Sequence, residues 1–255
     1  MADTVLMADL TWPEFEARAK GDPVVFLPCG AFEQHGPHLP FSVDALLPTA
    51  IAEGVARRVG GLVASPITYG YKSLPKSGGG PCFPGTINLD GATLVAIVGD
   101  IVREFHRHGL RKICSIVGHY ENQWFVGEGI DNALREIADP DLKAMRLEYW
   151  DFCSEEVLEQ VLPGGYAGIE LEHAAVMETS LMMYLYPDKV REDLIPDHPP
   201  ADFPPYDVYP AARDWVPWSG ALTTARGSSA EKGKLMYDHY VASISAAVEK
   251  EFGSR

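Results

Sequence analysis

The sequence predicts an α/β/α sandwich: one mainly parallel sheet with helices on both faces. Two observations lead there. Short continuous apolar runs, VVFLPCG at 24–30 and KICSIVGH at 112–119, read as strands buried on both faces. Between such runs lie longer amphipathic stretches, several closed by glycine, which read as helices. Strand and helix in alternation imply crossover connections and hence parallel pairing. No linker-like tract divides the 255 residues, so a single domain over 1–255 is expected.

The elements follow in order. Thr11 with Glu14 three residues later is a capping-box pattern, and Pro13 suits a first helical turn, so TWPEFEARAKG opens a helix. The strand at 24–30 ends at Pro28 and Gly30. LLPTAIAEGVARRVGG (46–61) is an amphipathic helix, and LVASPITYG (62–70) is strand-like. YGYKSLPKSGGGPCFPGT (69–86), rich in glycine and lysine, reads as a loop. A long helix covers 91–109, a second buried strand 112–119, a helix 122–139 and a third strand 142–150. LEHAAVMETSLMMYLYP (171–187) and the stretch 230–252 are the later helices. The segment 187–218 is loaded with proline and aromatics. It is too apolar for a disordered linker, so an ordered arm is expected, packed on the domain or on a neighbouring subunit.

A formal net charge of -15 repels phosphate backbones and argues against nucleic-acid partners. The N-terminal stretch lacks the basic start and long apolar run of a signal peptide, and no apolar run is long enough to span a bilayer. A cytoplasmic location without membrane contact is the expectation. Cys29, Cys82, Cys114 and Cys153 form no CxxC pair, so reduced thiols are expected.

In open parallel sheets, functional groups gather in loops at the carboxyl ends of strands. Two polar clusters stand there: AFEQHGPHLPFSVD (31–44) and GHYEN (118–122). In extended chain, residues i and i+2 face the same way. Glu33 and His35 therefore share a side, with Gln34 opposite, and His119 pairs likewise with Glu121. Asp44 follows a proline-stiffened loop and folds back to the same point. Five ligands of mixed oxygen and nitrogen type exceed what one catalytic zinc takes, and suit two cations bridged by an aspartate. Carboxylates without thiolates favour zinc, manganese or a mixture. His38, beyond the bend at Pro37, is a candidate for direct ligation or for orienting the loop and a ligand through a hydrogen bond. In GIELEHAAVMETS, His173 is read near a helix start, as a candidate proton donor to a leaving nitrogen, with Glu178 more than a turn later.

At these residues the chain resembles the creatininase (creatinine amidohydrolase) family. EQHGPHLPFSVD is similar to that family's metal-binding signature, GHYEN to its second signature, and YKSLPKSGGGPCFPGT to a loop flanking its active site. EHAAVMETSLMMYLYP and DHPPADFPPYDVYP add to the likeness, which runs over nearly the whole chain and is strongest to the true creatininases. The resemblance implies that Glu33 and His119 hold one metal, that His35 and Glu121 hold a zinc, and that Asp44 bridges the two. It implies substrate contacts from Ser77, Tyr120 and His173, with Trp150 near the pocket. Glu121 would orient or deprotonate the attacking water, His173 would protonate the departing ring nitrogen, and Glu178 would support the site from behind the ligands. The implied reaction is attack of a metal-bound hydroxide on a ring carbonyl, opening a cyclic amide: creatinine to creatine, or a close analogue. A hexamer built as a trimer of dimers is also implied.

The chain departs from the creatininases in one place. Ile169 stands where they carry a tryptophan that closes over the flat ring, and Glu170 where they carry an aspartate. Isoleucine offers no π-face to a planar cationic ring. A bulkier or less planar cyclic amide or imide is then as well suited as creatinine, unless Trp124 or Trp215 supplies the missing lid. The alternative function keeps the site and changes the ring to a cyclic keto-polyol or lactone. A non-catalytic metal-binding assembly protein gains little, because both Asp44 and His173 are present.

Overall fold

Residues 4–253 are described in a computed structural model; the outermost residues of the expected 1–255 span lie outside them. Four strands form one sheet: β1 (Val25–Cys29), β2 (Leu62–Val63), β3 (Lys112–Val117) and β4 (Lys143–Glu148). Their spatial order is β2-β1-β3-β4, and every pairing is parallel. Alternate side chains feed two cores. Phe26, Cys114, Ile116 and Leu147 pack against α2 (Val43–Val59), α6 (Glu155–Val161), α7 (Val176–Leu185) and α8 (Ala230–Phe252). Val25, Leu27, Cys29, Ile113 and Val117 pack against α4 (Gly91–Arg107) and α5 (Asn122–Ile137), with Phe15 of α1 (Trp12–Ala19) at the edge. The three-layer sandwich read from the alternating runs is the observed fold. The Thr11–Glu14 capping box also forms, the Thr11 N–H donating to Glu14 Oε2 at 2.9 Å.

Four local readings change. The strand expected at 62–70 is cut to two residues, because Pro66 has no N–H for the ladder. Pairing resumes at Ile67, whose N–H bonds to Pro28 at 2.9 Å. The expected loop 69–86 holds a short helical turn, α3 (Pro75–Gly78), and a 3-10 turn at Gly80–Cys82. The third strand stops at Glu148, and residues Tyr149–Phe152 form a 3-10 turn. The helix expected from 171 begins only at Val176, since Ala174 takes a left-handed conformation with φ 54°.

The 187–218 arm is ordered against the rest of the chain. Arg191 N–H bonds to the His38 carbonyl at 2.9 Å, Lys76 pairs with Asp207 at 3.1 Å, and the Arg213 guanidinium lies 4.3 Å over the Phe83 ring. No described helix is long and apolar enough to cross a membrane, and all four cysteines are free thiols.

The feature that positions the site is a close approach. Cys29 and Val117 are partners in register, so Gly30 and Gly118 lie side by side at the carboxyl edge of the sheet. A Cβ on Gly30 would fall 2.4 Å from the Asp44 carbonyl oxygen, and one on Gly118 would fall 2.3 Å from it. Only glycine lets the first turn of α2 seat between the two strand tips. Pro48 of α2 has no N–H to return to that same carbonyl. Gly118→Ala should therefore push α2 away and lower stability by about 1–3 kcal/mol, read as a fall in Tm together with reduced cation content. Gly127→Ala is the control: its Cβ would meet nothing nearer than Arg146 Nη1 at 3.8 Å, and stability should hold or rise.

Candidate metal centre

The seat of α2 delivers Asp44 between two histidines. The chain leaving β1 passes through Glu33 and His35 as a loop and turns at Gly36 (φ 65°) and Pro37. His119 follows Gly118 at the tip of β3. His35 Nε2 lies 2.9 Å from Asp44 Oδ1, and His119 Nδ1 lies 3.1 Å from Asp44 Oδ2 and 3.0 Å from Glu33 Oε2. Glu178 Oε1 reaches from α7 to within 3.6 Å of His35 Nε2. Two trios result, Glu33–Asp44–His119 and His35–Asp44–Glu178, each with its candidate ligand atoms within 4.8 Å of one another. Asp44 belongs to both. A third grouping joins Glu33, His35 and His173.

Glu121 lies against His119, and Glu178 lies against His35. Glu121 is the N-cap of α5 with helical backbone (φ −75°, ψ −13°), so the alternation expected of extended chain does not apply. Its Oε1 accepts from Leu74 N and Ser77 Oγ, both at 2.7 Å, and its Oε2 lies 3.3 Å from His119 Nε2 rather than beside His35. Glu178, expected behind the ligands, is the carboxylate against His35. Its other oxygen accepts from Ala174 N–H at 2.6 Å and so holds the left-handed turn after His173. His38 is buried outside both trios; its Nε2 bonds to Thr179 Oγ1 at 2.8 Å and ties the loop to α7 beside Glu178.

A pocket opens over the cluster. Tyr149, Trp150, Ile169, Met177 and Leu181 form its apolar wall, and Ser77, Tyr120 and His173 line it as well. His173 lies before α7 rather than on it, with its ring 4.4 Å from that of His35. Glu170 is exposed at the rim, accepting from the Tyr120 hydroxyl at 3.1 Å, and does not line the pocket. Neither do Trp124, packed edge-on to Tyr120, nor Trp215, packed on Tyr206.

Three polar residues escaped the sequence reading. Gln34 was expected to face away, yet its amide reaches His173 Nε2 at 3.0 Å. Asn122 ties the strand tips together through Cys29 O, Gly30 O and Tyr71 N. Glu172 lines the pocket, and burial lifts its carboxyl to about 7, against the bond from Met177 N–H. Each adjoins a residue of the motifs: Gln34 follows Glu33, Asn122 follows Glu121 and Glu172 precedes His173.

The electrostatics call for cations. Burial raises Glu33 to about 7, opposed by His119. Burial also works against charge on His35 and His119, but neighbouring carboxylates outweigh it and hold both well above the usual histidine range. For Asp44 the two histidines overcome burial and depress the pKa. Burial, then the charge on His35, drives His173 well below the ordinary value. No lysine or arginine lines the pocket. Among the described residues, the buried side-chain atoms without a hydrogen-bond partner include Glu33 Oε1, His35 Nε2, Asp44 Oδ2 and Glu121 Oε2. Buried polar atoms left this way are costly unless something else satisfies them. An oxygen and nitrogen donor set meeting at one shared aspartate fits a pair of divalent cations.

A pair of overlapping cation seats at the carboxyl edge of a parallel sheet, open to a small pocket, defines a metal-dependent hydrolase. The comparisons agree. The family model described as creatinine amidohydrolase matches residues 8–248, and the chain belongs to this creatininase family. It is 51% identical to creatinine amidohydrolase of Pseudomonas putida over 257 residues, 99% of each chain. A solved creatinine amidohydrolase superposes with TM-score 0.98 at 49% identity, covering 100% of both chains. Solved creatininases described as a manganese form and a zinc–zinc form match at 50% identity, with TM-scores of 0.95 and 0.96, each covering 98% of this chain and 99% of the other.

Cation uptake should expel protons. With their pKa values raised, His35 and His119 carry protons at neutral pH before cations bind, and ligation requires the neutral imidazoles. About two protons per chain should be released, and affinity should climb from pH 6 to 8. Calorimetry in buffers of different ionisation enthalpy measures this; a binding heat independent of buffer would contradict it.

Proposed function

We propose that this chain hydrolyses the ring amide of creatinine or of a closely related cyclic amide, using two divalent cations, zinc or manganese. Glu33, Asp44 and His119 hold one, and His35, Asp44 and Glu178 hold the other. One observation carries the reading: buried, unpartnered donor atoms converge on Asp44 in a chain similar end to end to a creatinine amidohydrolase. When bound, the cations polarise the carbonyl oxygen and lower the pKa of water.

The chain's own groups do the rest. Leu74 N–H and Ser77 Oγ fix one oxygen of Glu121, leaving Oε2 free to take a proton from the attacking water. His173 lines the pocket beside His35, within reach of the reacting group. Trp150, lying 26° from the plane of Tyr120, supplies a flat apolar surface for a ring. Ile169 faces the same space without a π-face, which widens the acceptable rings beyond planar cations. A cytoplasmic homohexamer, a trimer of dimers, is the assembly we infer from the family resemblance. Tyr206, Tyr209 and Trp218 on the arm expose apolar surface available to it.

Two substitutions separate the carboxylate roles. Glu121→Gln should retain the cations and lose at least about 100-fold in kcat, whereas Glu178→Gln should lose cation content, measured by elemental analysis beside turnover. Ile169→Trp should improve kcat/KM for creatinine by an amount equivalent to about 1–2 kcal/mol. A panel of cyclic amides, lactones and cyclic ketones tests the reading as a whole: turnover of non-amide rings alone would overturn it.

A further inference from the structure

We propose that Gln34 is a positioning residue that locks the His173 imidazole in its Nδ1–H tautomer, so that His173 donates a hydrogen bond to the reacting group and keeps its proton. This rests on the cyclic-amide hydrolase reading and concerns how one of its residues works.

The Gln34 amide is oriented by backbone groups that cannot change roles. Gly36 N–H donates to Gln34 Oε1 at 2.9 Å. At the other end of the amide, Nε2 lies 3.0 Å from the Gly220 carbonyl and 3.2 Å from that of Gly78. Reversing the amide would set its oxygen against two carbonyls and its NH2 against an N–H. The cradle is shaped as well as polar. A Cβ on Gly220 would fall 2.1 Å from Gln34 Oε1, and one on Gly79 would fall 2.8 Å from Nε2. Gln34 and His173 are both only 6% exposed, so water does not compete freely for their contact.

The same NH2 lies 3.0 Å from His173 Nε2, sharing its two hydrogens among three acceptors. An amide NH2 only donates, so the imidazole nitrogen facing it must accept. The ring's hydrogen then belongs on Nδ1, the nitrogen turned toward the metal centre, 3.9 Å from Glu33 Oε2. An imidazolium would point a second N–H at the amide donor. Hydrolysis balances without one. As the water oxygen bonds to the ring carbonyl carbon, Glu121 takes a water proton. As the carbon–nitrogen bond breaks, Glu121 returns that proton to the departing nitrogen. His173 stabilises the developing charge through its N–H and neither gains nor loses a proton.

The test is 15N spectroscopy of the zinc-loaded protein labelled at histidine, with His173 assigned from the signals lost in His173→Gln. Wild-type His173 should show a protonated Nδ1 and an unprotonated Nε2. Gln34→Glu offers Nε2 an acceptor and should move the hydrogen there, lowering kcat about 100-fold while KM changes less than about threefold and zinc content holds. Gln34→Met, of similar shape but without the hydrogen bonds, should give mixed tautomers and an intermediate kcat. A wild-type ring protonated at Nε2, or at both nitrogens, overturns the proposal. So does a Gln34→Glu enzyme within about twofold of wild-type kcat. Should Gln34→Glu fail to fold, the wild-type and Gln34→Met signals still decide. Absence of cyclic-amide turnover in the wild type overturns the functional reading instead, and the tautomer signals then judge this proposal on their own.

Discussion

The site depends on one steric constraint: the Asp44 carbonyl wedged between two glycines. Parallel pairing of β1 and β3 brings Gly30 and Gly118 together, and their missing side chains admit the first turn of a helix. Everything polar is arranged around that contact. His35 and His119 come from the two loops leaving those strands, and Asp44 presents an oxygen to each. Interiors are close-packed, so the contact tolerates little adjustment, and the shared carboxylate is held by backbone rather than by its own side-chain freedom.

That rigidity explains how such a charge density is retained. Glu33, Asp44 and Glu121 are buried and Glu178 is largely so, beside a pocket whose lining contains no lysine or arginine. Uncompensated, such carboxylates repel one another and resist desolvation. Hydrogen bonds from backbone N–H groups at Leu74 and Ala174 offset part of this for Glu121 and Glu178. The remaining lone pairs converge where cations would neutralise them. Folding and cation binding are therefore linked, and cations that bind only the folded chain stabilise it by mass action.

Much of this was legible in the sequence because backbone periodicity carries far. The apolar runs at 24–30 and 112–119 gave the parallel sheet, and the polar clusters after them marked its active edge. Glu33, His35, Asp44 and His119 could be assembled because each sits within a few residues of a strand tip or a stiff turn. Glu121 lies beside His119 rather than His35 because helix α5 begins one residue after it, and alternation holds only for extended chain. The reach of Glu178 to His35 goes with the left-handed turn at Ala174, a conformation that alanine does not announce. Gln34 faced away in an ideal strand but not in this loop, where distant carbonyls at Gly78 and Gly220 capture its amide. Contacts across such sequence distances leave no local periodicity to read.

The 3-10 turn Ile169–Leu171 belongs to a different regime. Ile169 borders the pocket yet contributes to neither hydrophobic core, and Glu170 stands in solvent. Exchanges there can alter which molecule is admitted while the sheet, its glycine notch and the ligand trios stay untouched. Divergence within such a lineage would concentrate in this short turn, letting new chemistry-compatible guests be sampled by drift without first risking collapse of the catalytic floor.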